Sequence, residues 1–205
     1  MNMQAIKRQV ISIGAILLLV GSLSAGSPRT LLLEVQQAPV AWADGKFAAK
    51  FTSHLSRNPE LRVHAASDLG ANAPAFPASL YDLDSLFDWG TEMGGRYVLV
   101  VLVDSERMER KKTFSLPLIF HRYEVVGTIA GEFRLLDIAN RRLLAAEPFS
   151  VSMKGPRQFQ GSPDDDVNDA SLHIPAPKRA NFFGRLEDKL VEKLGKKVRH
   201  LTHGR

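Results

Sequence analysis

The run YVLVVLV, Tyr97 to Val103, constrains this chain more than any other feature. Seven apolar residues are too few for a lone buried helix, and the four valines among them favour extended backbone. A strand with apolar side chains on both sides of its pleat must be covered on both faces. It therefore belongs in the middle of a sheet that carries helices above and below.

Periodicity places the neighbours. Thr30 to Gln36, TLLLEVQ, reads as a first buried strand. Asp44 can cap a helix in which Phe47, Phe51 and Leu55 recur every fourth residue while Lys46 and Lys50 stay in water, and Asn58-Pro59 ends it. Leu61, Val63 and Ala65 then alternate with Arg62 and His64, so a second strand follows, and the strand, helix, strand order predicts a right-handed parallel crossover. Ser67 to Pro77 reads as a loop. Ser79 to Met93 reads as a second helix with Leu83, Leu86, Phe87 and Gly90 on one face, closed by the left-handed backbone that Gly94-Gly95 permits.

After the central strand, His121 to Asp137 puts Val125, Ile129, Phe133 and Leu135 in odd positions against Glu124, Thr128, Glu132 and Arg134 in even ones. A turn over Asp137 to Arg141 returns the chain along Arg142 to Met153. Pro148 lacks the donor an interior strand needs, so this strand belongs at an edge or carries a bulge. Asn181 to His203 keeps Phe182, Phe183, Leu186, Leu190, Leu194, Val198 and Leu201 at steps of three or four. The fold expected is α+β (mixed α/β) in the order β-α-β-α-β-β-β-α, a five-stranded mixed sheet with about three helices.

The ends differ from this body. Lys7-Arg8, an apolar run from Val10 to Val20 and the small residues Gly21 to Ala25 have the order of a secretory signal peptide. Cleavage after Ser24 or Ala25 is expected, a retained anchor being the alternative, and the mature chain is then periplasmic or secreted. There is no cysteine, so lipidation of a cysteine and disulfides are both excluded. The expected organisation is a signal peptide over 1–25, a main sheet domain over 26–155, a Pro/Gly/acidic connector over 156–178 and a basic amphipathic helix over 179–205. Lys178 to Arg205 carries nine basic and three acidic side chains, while Gly26 to Pro177 is net acidic with sixteen against nineteen. The basic character is thus concentrated in the last helix.

Little in the chain points to chemistry. Nucleophilic catalysis by cysteine is excluded, there is no Gly-x-Ser-x-Gly elbow, and neither a P-loop nor a dinucleotide fingerprint occurs. His200 and His203 share a helix face, but nothing fixes His173 as a third metal ligand, and His54 and His64 read as surface or boundary residues. In the acidic stretch Asp164 to Ser171, Asp164, Asp166 and Asn168 have alternate spacing, but Asp169 stands where a calcium loop needs glycine and Pro175 where it needs a bidentate glutamate. No catalytic, cofactor-binding or metal residue is therefore assigned, and no cofactor is implied. An enzyme would have to assemble its site from scattered groups, His121, Asp104 and Glu124 being the candidates.

The element order, with Leu61-Arg62-Val63, the strand Gly95-Arg96-Tyr97-Val98-Leu99 and the hairpin Leu135-Leu136-Asp137-Ile138-Ala139-Asn140-Arg141-Arg142-Leu143-Leu144, resembles the family that includes the curli-secretion protein CsgG and the N-terminal domain of TolB. The likeness covers most of the mature chain. It implies an exported envelope protein with a scaffold, secretion or assembly role. The family's usual Thr-Gly turn is Asn140-Arg141 here, no cysteine is present for lipidation, and Met108 to Leu118 is too short and too charged for a pore-forming hairpin, so the chain resembles the soluble core alone.

The expected function is a non-enzymatic one, a periplasmic adaptor or assembly module that binds an envelope protein. The candidate edge-strand contacts are Arg142, Leu144 and Ala146. Alternatively, Lys189, Lys193, Lys196, Lys197 and Arg199 face an anionic membrane while Leu186, Leu190, Leu194 and Val198 either cover the sheet or sink into lipid. Nucleic acid is not expected, because no aromatic residues interleave with the basic ones.

Overall fold

The computed structural model describes residues 27–37, 46–70, 73–116, 120–160 and 174–203. The signal segment, Asp44, the acidic stretch Asp164 to Ser171 and His173 lie outside them. The elements are β1 (Arg29–Gln37), α1 (Phe47–Leu55), β2 (Leu61–Ala65), a short 3-10 turn, α2 (Leu83–Glu92), β3 (Tyr97–Leu116), β4 (Phe120–Asp137), β5 (Arg142–Gln160) and α3 (Ala176–Thr202). They form a five-stranded mixed sheet in the order β2-β1-β3-β4-β5. β1 runs parallel to both β2 and β3, and β3, β4 and β5 form an antiparallel meander. The expected parallel crossover is present, and Tyr97 to Val103 sits between β1 and β4.

Both faces of that central run are covered. Tyr97, Leu99, Val101 and Val103 face one layer with Leu31, Leu33, Phe47, Phe51, Leu55 and the inner stripe of α3. Val98 and Val100 face the other layer with Leu32, Leu86, Phe87 and Trp89. In α2 the Asp82 carboxylate accepts from the Ser85 backbone N–H at 3.2 Å and from the Ser85 hydroxyl at 2.6 Å. That cap starts the helix at Leu83, later than the apolar spacing alone suggests. Gly94, at φ 64°, closes it. Helix α1 starts without a side-chain cap, with Lys46 at its N-cap.

The meander is longer than its apolar pattern indicates. β3 continues thirteen residues past Val103, paired with β4 throughout and interrupted by register shifts at Val103/Ser105 and Lys112/Phe114. The first shift is a bulge at Asp104 that keeps Glu106, Met108 and Arg110 on the core side opposite Ile129, Gly127 and Val125. Met108 to Leu116 therefore lies in a sheet strand. β5 likewise runs on to Gln160, and α3 begins at Ala176, so regular structure enters both ends of the span read as a connector.

Helix α3 closes the first layer. Phe182, Phe183, Leu186, Leu190, Val191, Leu194 and Val198 are all buried, with Leu186 and Leu190 at 0% exposure. Seven such side chains contribute roughly 10–20 kcal/mol of gross burial, comparable with the whole net stability of a typical domain. Close approach is allowed by small residues. A Cβ at Gly195 would lie 2.5 Å from the His54 ring, and one at Gly127 2.3 Å from the Phe182 ring. The placement of Leu186, Leu190, Leu194 and Val198 in the core is the sheet-covering alternative and not the lipid-facing one, because the sheet face needs them.

Candidate functional site

The meander's turn is tied down at two points. Asp137, 2% exposed, accepts from the Asn140 backbone N–H at 3.2 Å and from Asn140 Nδ2 at 2.8 Å, and it pairs with Arg96 at 3.1 Å. Arg141 adopts φ 44°, the left-handed region that favours glycine. Its guanidinium donates to Asp88 at 2.8 Å and to Asp84 at 3.1 Å, both on α2, and lies 5.2 Å from the Phe87 ring centroid. An arginine thus occupies a glycine-type backbone position because its side chain fastens the hairpin to the helix. Both Arg141→Ala and Arg141→Gly lose the ion pairs, but only alanine keeps the backbone strain. Arg141→Ala is accordingly expected to unfold at a lower temperature than Arg141→Gly in a thermal melt; equal midpoints would contradict this account of the turn.

The hairpin delivers β5 to the edge of the sheet. Along it Ala146, Pro148, Ser150 and Ser152 share one parity, opposite Arg134, Glu132, Ala130 and Thr128. Their backbone groups point away from β4, which is why Pro148 fits without a donor. The Ser150 carbonyl accepts from Lys193 Nζ at 3.0 Å and the Ser152 carbonyl from Lys189 Nζ at 2.9 Å. Lys197, the next residue of that helical row, pairs with Glu147 and lies 4.9 Å from the Phe133 ring centroid. The row at i, i+4 and i+8 therefore lines the edge from Ser152 back to Glu147 with ammonium donors. From Arg142 to Pro148 the row reaches only the Glu147 side chain, through Lys197, and among the described hydrogen bonds no ammonium reaches a backbone carbonyl there. Arg142 and Ala146 are exposed there, and Leu144, at the register shift opposite Leu135 and Leu136, is half-buried.

The remaining candidates are dispersed. Lys196 pairs with Glu192 within α3 at 2.6 Å, and Arg199 Nε reaches the Gly195 carbonyl at 3.4 Å. Asp104 sits at the bulge opposite Gly131 and Ala130, whereas Glu124 lies opposite Lys111. Seven residues of strand separate them, roughly 20 Å. Glu124 pairs with Lys154 at 3.0 Å. The reading that gathered Asp104 and Glu124 into one cleft is thereby corrected, and the His121 side chain lies outside the described residues. No group of three potential metal-ligating side chains occurs among the described residues. No described helix is long and apolar enough to cross a membrane.

One internal pair escaped sequence reasoning. Glu187, 2% exposed on α3, accepts from Lys50 of α1 at 2.6 Å, and the same ammonium reaches the Gly184 carbonyl at 3.3 Å. The signal was present, because Glu187 interrupts the apolar stripe between Leu186 and Leu190, and a carboxylate there requires a partner.

No protein-family model matches the sequence, and no curated protein matches it. Among solved structures, the fold is similar in outline to a minor lipoprotein from Acinetobacter baumannii, at TM-score 0.38 and 12% identity over 83% of this chain and 90% of that one. It is similar likewise to a lipoprotein from Neisseria meningitidis, at 0.36 and 15% over 82% and 99%. The rare lipoprotein B from Shewanella oneidensis stands at 0.37 and 13% over 84% and 99%.

Proposed function

We propose that this chain is an exported protein of the cell envelope that works by binding, as an adaptor or assembly module whose contact surface is the first half of β5. The observation that carries the reading is the division of that edge: Lys189 and Lys193 occupy the carbonyls of Ser152 and Ser150, while among the described residues no hydrogen bond reaches the outward backbone groups from Arg142 to Pro148. A partner strand adds there by main-chain hydrogen bonds, with Arg142, Leu144 and Ala146 supplying side-chain contacts. The anchored turn keeps the edge preformed, which lowers the ordering cost of association. The charge segregation and the leader-like N-terminus support an envelope setting. The resemblance to CsgG and the N-terminal domain of TolB agrees with an assembly role.

The test exploits backbone direction. Ala146→Pro removes an N–H that points away from the sheet, so the folded state keeps its ladder while strand addition loses a donor. A photo-crosslinking residue at Leu144 is expected to give a discrete adduct in intact envelopes, reduced at least tenfold by Ala146→Pro, and a probe at the exposed Lys111 to give none. An adduct insensitive to Ala146→Pro, or equal labelling from both probes, contradicts the reading.

A further inference from the structure

A cavity of about 360 Å³ is lined by His54, Leu55, Arg57, Asn58, Pro59, Arg199 and His203. Three chain segments build it: the end of α1, the loop into β2 and the end of α3. Its lining contains no carboxylate. Among the described residues neither Arg57 nor Arg199 is in an ion pair. The nearest acids act from outside the lining: Glu60 holds His203 Nδ1 at 3.0 Å, and Glu192 is pledged to Lys196.

Asn58 lines the cavity from the loop. Asn58 Oδ1 accepts from the Glu60 backbone N–H at 3.0 Å, which fixes the amide's orientation. Its Nδ2 is buried and has no acceptor among the described residues. A buried donor without a partner costs stability, and native proteins keep few of them. The last α1 carbonyls are taken by the N–H groups of Ser56, Arg57 and Asn58, and the Thr202 carbonyl is taken by Arg29 at 2.7 Å. Burial first, then Arg199 and Arg57, hold the His54 imidazole below its ordinary value against a weaker opposite pull from Glu192.

We infer that this cavity is a phosphate-binding site, in which Arg57 and Arg199 hold a phosphate group beside the His54 edge and Leu55 and Pro59 accommodate its organic substituent. Guanidinium groups pair with phosphate oxygens through paired N–H bonds, and two of them from separate chain segments match the charge of a phosphate better than that of a single carboxylate. The volume falls at the lower end of small-ligand sites and exceeds what a bare anion needs. The ligand is a soluble phosphomonoester or a phospholipid headgroup, two sources of one chemistry.

The experiment uses the mature chain at constant ionic strength. Inorganic phosphate, at about ten times its dissociation constant, is expected to raise the thermal midpoint by about 3 °C over a chloride control. Arg57→Gln/Arg199→Gln, two exposed positions, and separately Asn58→Asp are expected to weaken phosphate binding at least tenfold by calorimetry, with unchanged circular dichroism. Sedimentation with phosphatidylglycerol vesicles, against phosphatidylcholine vesicles, separates the sources. Vesicle binding abolished by the double variant identifies the headgroup, and phosphate binding without vesicle binding identifies a soluble ligand. Absence of binding in both arms, or binding that the variants leave unchanged, overturns the inference.

Discussion

Gly131→Ala is expected to cost about 3 kcal/mol or more in a urea unfolding series, the upper range for overpacking a close contact. A Cβ at Gly131 would stand 1.9 Å from the Leu102 carbonyl oxygen and 2.8 Å from the Phe149 ring. The first neighbour is backbone, so no rotamer change relieves the clash. The position lies beside the bulge between Val103 and Ser105, where β3 bends toward β4. The substitution therefore forces apart the two strands on which the long meander depends. A loss below about 1 kcal/mol would show that the bulge relaxes freely.

Leu190→Ala is expected to cost about 3–4 kcal/mol, within the range for truncating a buried leucine. Leu190 has 0% exposure and belongs to the same buried cluster as Leu31, Phe51 and Leu99. Its neighbours along α3 are held through the Glu187 to Lys50 pair, so the helix has little freedom to collapse into the space left behind. Exposed Lys196→Ala, on the same helix, is expected to stay within about 0.5 kcal/mol of the parent. If the two substitutions cost alike, α3 does not form the coat of the sheet.

The parts of this fold that could be read from the residues are those where apolar periodicity is strong. Val98 to Val103, the odd and even faces of β4 and the stripe of α3 announce themselves because each buried position carries an apolar side chain. The continuation of β3 was hidden for the converse reason. Its inward positions after the bulge are Glu106, Met108 and Arg110, and the two charged ones are buried all the same. Pro175 and Pro177 made the start of α3 look like loop, although proline is tolerated in the first helical turn, where the N–H has no intrahelical acceptor. The edge position of β5 was legible from Pro148. That Lys189 and Lys193 would serve its carbonyls was not, since this depends on how α3 crosses a strand some forty residues earlier. The cavity beside Asn58 was invisible for the same reason: Asn58-Pro59 reads only as a helix stop until α3 brings Arg199 and His203 to it.

Two features are central: α3 is an integral wall, and among the described residues no hydrogen bond reaches the outward backbone groups of β5 before Ser150. Amide hydrogen exchange followed by nuclear magnetic resonance measures both at single residues. Leu186 to Val198 should exchange only through global opening, alongside Leu99 and Phe133. Ala145 and Phe149, whose N–H groups point to β4, should be slow, and Ala146 should exchange near the rate of an unprotected amide. An α3 that exchanges by local opening well below the global free energy, or an Ala146 as protected as Ala145, would contradict the account.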